Sequence, residues 1–122
     1  MLREISKQLD TMYSVSESCS ELCIRTHMSL DGNSMNFRFV QIDDKFSRIS
    51  TTPNFSEWMA CCTGSWKKAA PDIEKLAKLY GVEWDNENGA LFLQFRRNEM
   101  SAAQAVMRMQ QAIAVVCQLG PA

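Results

Sequence analysis

No apolar run in this chain is long enough to cross a bilayer. The longest unbroken stretch, Ala112 to Cys117, falls far short of the about 20 residues that a spanning helix needs. The N-terminal region carries Glu4 and Asp10 where a secretory signal would be apolar, so a cytoplasmic protein with no membrane partner is expected. Charge of one sign is missing too: 13 Lys and Arg oppose 14 Asp and Glu, spread over both halves. Without a field of one sign to steer a polyanion, bulk nucleic-acid binding is disfavoured. The sequence has no P-loop, no Gly-x-Gly-x-x-Gly, no Gly-x-Ser-x-Gly and no paired-histidine helix motif. Neither an enzyme nor a bound cofactor is expected. Histidine occurs once, at His27. Internal repeats, low-complexity linkers and charge blocks are absent as well.

What is present suits one folded body. At 122 residues, with 46% hydrophobic and 22% charged residues, the chain reads as a single domain spanning 1–122 that can bury a core without staples. Leu2, Ile5, Leu9 and Met12 recur at helical spacing, and the serines from Ser14 to Ser20 should end or fray that helix by competing for its backbone hydrogen bonds. Leu22 to Leu30, Met35 to Ile42 and Phe46 to Ser50 read as a three-stranded antiparallel meander, with Asp31-Gly32-Asn33 as a hairpin signal. Along the second of these strands Phe37 and Phe39 alternate with Asn36, Arg38 and Val40, which predicts one core face and one wetter face.

Asn54 and Glu57 are spaced as the capping box of a helix that Gly64 would end. A second helix is predicted to start at Pro71 and to bury Ile73, Leu76, Ala77 and Tyr80. Gly81 should close it in the left-handed conformation. Val82 to Asp85 and Ala90 to Arg97 add a further hairpin, and Ser101 with Gln104 caps a final helix running to about Leu119. The predicted fold is α+β: a roughly five-stranded antiparallel sheet packed against an N-terminal helix, one or two central helices and a long C-terminal helix. That last helix is apolar around most of its circumference. Ala105, Ala112 and Val115 are its candidate contacts for a homodimer, the alanines permitting close approach.

The segment from Lys75-Leu76-Ala77-Lys78-Leu79-Tyr80-Gly81-Val82 through Asn88-Gly89-Ala90-Leu91 to Met107-Arg108-Met109-Gln110-Gln111-Ala112-Ile113 resembles a domain of unknown function, number eighteen twenty-eight, of bacterial and bacteriophage proteins. In that family a short helix, a turn like Tyr-Gly-Val, a strand pair and a terminal helix with a segment like Gln-Ala-Ile follow an N-terminal strand region. This chain departs at Ser50-Thr51-Thr52-Pro53, where the family pattern has an acidic, glycine-containing turn. The resemblance implies a phage or prophage setting and supplies no catalytic residue.

Cys19, Cys23 and His27 form a Cys-x3-Cys-x3-His series that a continuous helix would bring to one side, with Cys61 or Cys62 as a fourth ligand. The paired short spacings of usual zinc sites are absent and Leu22-Cys23-Ile24 reads as strand, so the five cysteines are expected to be free thiols without metal. Trp66, Lys67, Lys68, Arg96 and Arg97 combine the types that stack on bases and hold phosphates, against the simpler reading of core edge and solvated charge. Asp43 and Asp44 are turn residues that could also imitate phosphates toward a basic groove.

The expected function is a non-enzymatic, phage-type interaction protein that binds and inhibits or modulates a host protein, a defence nuclease such as a CRISPR effector being one target. The alternatives are a nucleic-acid-binding accessory or regulator and a dimeric chaperone for a secreted protein.

Overall fold

The computed structural model describes residues 5, 14–18, 21–30, 33–52, 55, 57 and 66–119. Its strands are β1 (Ser14–Ser18), β2 (Glu21–Leu30), β3 (Asn33–Gln41), β4 (Phe46–Thr51), β5 (Glu83–Asp85) and β6 (Ala90–Arg96). Its two continuous helices are α1 (Trp66–Lys78) and α2 (Ala102–Val116), and Cys117–Leu119 adds a 3-10 turn. All six strands pair antiparallel in the order β1-β2-β3-β4-β6-β5.

The five expected strands are therefore present and an edge strand joins them. β1 occupies the serine stretch that was expected to end a helix. Ser14 pairs with Arg25 and Ser18 with Glu21, so the backbone groups that serines tend to withdraw from a helix are satisfied by the long β2 instead. Of the predicted N-terminal helix only Ile5 is described; it is helical and buried. Phe55 and Glu57 are helical, while Asn54 and Gly64 lie outside the described residues, as does the Asp31-Gly32 tip. The register Leu30↔Asn33 leaves just those two residues to make the β2–β3 connection, as the hairpin signal required.

Helix α1 begins at Trp66, five residues before the expected start, and carries Pro71 inside it. Proline costs the helix one backbone hydrogen bond there. Burial of Ala70, Ile73 and Ala77 offsets that cost, so packing overrides the local stop signal. The far end follows the sequence closely. Gly81 sits at φ 73°, its amide donates to Lys78 O (3.1 Å), and the Val82 amide donates to Ala77 O (3.1 Å). This is a Schellman closure, with Val82 and Ala77 both buried beside it.

The period of two puts Leu22 and Ile24, Phe37 and Phe39, Ile49, and Leu91 and Leu93 on one face of the sheet. Onto it α2 lowers Val106, Met109, Ile113 and Val116, all fully buried. Phe39 and Phe95 meet edge to face at 6.1 Å between centroids. Beyond the end of the β4–β6 ladder, Thr51 Oγ1 accepts from the Leu91 amide (3.1 Å), supplying a partner that the strand itself no longer offers. The helices thus cover one side of the sheet, and among the described residues no element covers the other.

Candidate interaction surface

The uncovered side is built by the residues that alternate with the core. Glu21, Cys23 and Arg25 come from β2, and Asn36, Arg38 and Val40 from β3. Phe46, Arg48 and Ser50 come from β4; Phe92, Gln94 and Arg96 from β6; Glu83 and Asp85 from β5. Register sets them in rows: Cys23, Arg38, Ser50, Phe92 and Glu83 in one, Glu21, Val40, Arg48 and Gln94 in the next, then Phe46 beside Arg96. Four arginines and three carboxylates share this face, so it is modestly basic on a chain whose net charge is −1.

Three of the arginines are held in two ways, one by a carboxylate and two by aromatic rings. Arg38 forks onto Glu21, its Nε donating to Oε2 at 3.2 Å and its Nη2 to Oε1. That hydrogen bond first, and the charge behind it, hold Glu21 below the ordinary carboxylate range and raise Arg38. Arg48 lies over the Phe92 ring at 4.1 Å from its centroid, and Arg96 lies over Phe46 at 5.1 Å. A flat guanidinium stacked on a ring keeps its edge donors available to a third group.

Between these rows lies a cleft of about 450 Å³ lined by Arg38, Val40, Arg48, Ser50, Asp85 and Asn88 among others. Asp85 is engaged by its own turn: Oδ2 accepts from Asn88 Nδ2 (2.8 Å), and Oδ1 from the amides of Glu87 (3.0 Å) and Asn88 (3.4 Å). The Asn88 side chain is the main cause of its lowered pKa, and the Arg48 charge contributes.

The predicted site residues are distributed differently from the sequence reading. Asp43 and Asp44 form the exposed β3–β4 turn, and Arg97 lies against it. The Arg97 guanidinium donates to Asp43 O and its amide to Lys45 O (3.1 Å), so the acidic pair and the Arg96-Arg97 pair, read as separate patches, meet at one end of the sheet. Trp66, Lys67 and Lys68 form the first turn of α1, and their side chains lie outside the described residues.

Ala105 and Ala112 are 0% exposed, so their close approach is to the chain's own interior, and Val115 is half-buried. Among the described residues on the helix side, the large apolar side chains turned outward are Met107 on α2 (51% exposed) and Leu79 just past α1 (72%). A second copy docking on this side would meet those two first.

Cys23 and His27 both lie on strand β2, so the continuous helix that would bring the series to one side is not formed there. Cys19, Cys61 and Cys62 are outside the described residues, among which no group of three His, Cys, Asp or Glu could hold a metal.

Sequence reasoning missed Arg25, Arg48 and Phe92 as members of one surface. The alternation within each strand was readable, but the juxtaposition of β4 with β6, which seats Arg48 over Phe92, depends on a pairing between distant segments. Comparison with family models, with curated proteins and with solved structures finds no match to this chain. No helix of the described residues is long and apolar enough to cross a membrane.

Proposed function

We propose that this chain is a non-enzymatic interaction protein that binds and inhibits or modulates a host protein, and that the uncovered face of its sheet is the surface that does so. One observation supports this above the rest. Arginines interleaved with Phe46, Phe92 and Val40 stand in rows on the sheet, with no described element over them. Arginine and aromatic residues are the types that carry binding energy in protein interfaces, and a sheet holds them in place before the partner arrives. The interspersed Glu21, Glu83 and Asp85 leave the face only modestly basic, which suits single carboxylates of a protein placed between them better than the continuous charge of a phosphate backbone. Phe46 and Phe92 are stacked by arginine, so one side of each ring is already taken and base stacking is correspondingly disfavoured.

A defence nuclease remains the target class that suits the phage setting implied by the sequence resemblance. The contact is then with an acidic surface of that target, because four arginines supply most of the charge on this face, while Asp85 accepts through both carboxylate oxygens within its own turn. A second reading, a chaperone for a secreted protein, draws on the same face: an open sheet with side chains in parallel rows suits an extended segment.

The test is an affinity pull-down from host lysate with and without nuclease treatment, comparing wild type with an Arg48→Glu, Arg96→Glu double variant. The expected result is a protein partner retained after nuclease treatment and lost in the double variant. Retention abolished by nuclease, or unaffected by the two charge reversals, contradicts the proposal.

A further inference from the structure

The chemistry of the partner segment can be read from what the arginines lack. Glu21 takes two of the five N–H donors of Arg38. Arg48 makes no hydrogen bond or ion pair among the described residues; its described partners are the Phe92 ring and the through-space charge of Asp85. Asp85 cannot readily turn toward Arg48, since three donors of its own turn hold both its oxygens. The cleft of about 450 Å³ therefore presents guanidinium donors beside the Ser50 hydroxyl, with the one carboxylate on its rim already engaged.

The spacing of the rows adds the second half of the argument. Arg48 and Phe46 are two residues apart on β4, about 7 Å, and Phe46 is paired with Arg96. That is also the distance between side chains i and i+2 of an extended chain, which point to the same side.

We propose that the cleft at Arg48 is a carboxylate subsite, and that the partner lays an extended acidic segment on the sheet with one Asp or Glu at Arg48 and the residue two positions away toward Arg96. This rests on the reading of the uncovered face as the recognition surface. Fork-like pairing of a guanidinium with a carboxylate supplies direction and register, while Val40 and Phe92 supply apolar contact beside it.

The experiment titrates the full chain with a decapeptide of alternating Glu and Val, with the Lys-Val counterpart, and with a ten-nucleotide oligo-thymidylate, following the arginine Nε–Hε resonances by NMR. The Glu-Val peptide is expected to shift Arg48 and Arg96, leave Arg108 unmoved, and bind about tenfold more weakly to Arg48→Gln, with Arg48→Lys between. Equal binding of the Lys-Val peptide, shifts centred on Arg108, tighter binding of the oligonucleotide, or no binding of any probe overturns the subsite. A host partner that is lost in the Arg48→Glu, Arg96→Glu variant but indifferent to Arg48→Gln would overturn the carboxylate subsite while leaving the recognition face standing.

Discussion

Asp43 and Asp85 do the same job in two different turns. Oδ1 of Asp43 accepts from the amides two and three residues on, Lys45 at 2.7 Å and Phe46 at 2.8 Å, and Oδ1 of Asp85 does so from Glu87 and Asn88. Those bonds favour the charged carboxylates, with the Lys45 amide the largest influence on Asp43 and the Asn88 side chain on Asp85. Both pKa values fall below the ordinary 3.8. A carboxyl depressed in the folded state contributes stability that is fully present above its unfolded value and is lost as pH falls through the folded one. Urea denaturation of wild type should therefore lose midpoint as pH falls below about 4, and an Asp43→Asn, Asp85→Asn variant should lose slightly less over the same interval. Parallel pH profiles for the two proteins would show that these turns contribute nothing to the acid response.

At the scale of elements, the helix ends are where the sequence speaks most directly. Ser101 Oγ accepts from the Gln104 amide at 3.1 Å and Gln104 Oε1 accepts from the Ser101 amide at 2.9 Å, the reciprocal pair that the Ser-x-x-Gln spacing announces. Ser101→Ala should cost about 1 kcal/mol of unfolding free energy, and an unchanged denaturation midpoint would show that the cap is idle. The Gly81 closure is legible for the same reason: it is decided by residues within one turn of itself. The start of α1 was not legible, because Pro71 gives a local signal that burial of Ala70 and Ile73 overrides. Nor was β1, whose serines are settled by a partner strand and not by their neighbours in sequence. The surface of the sheet was half readable: Arg38 and Val40 announce a wet face on β3, while the seating of Arg48 over Phe92 needs the β4–β6 pairing, made across some forty residues of chain.

At the scale of the molecule, the described helices α1 and α2 lie on one side of the sheet, and Arg25, Arg38, Arg48 and Arg96 stand on the other. The division follows from the period of two in every strand: each residue turned toward α2 leaves its neighbour turned away. Arg25, Arg38, Arg48 and Arg96 alternate there with acids and a few large apolar groups, so the outer face is mixed and not uniformly apolar. Ala105 and Ala112 are buried within the chain itself, so the far side of the molecule offers Leu79 and Met107 with Arg108, whose Nη1 donates to Tyr80 O at 3.4 Å. These two sides can be told apart by arginine-specific labelling with phenylglyoxal, read by mass spectrometry with and without the captured partner. The account predicts that the partner shields Arg25, Arg38, Arg48 and Arg96 and leaves Arg108 reactive; shielding of Arg108 with the four sheet arginines still reactive would contradict it.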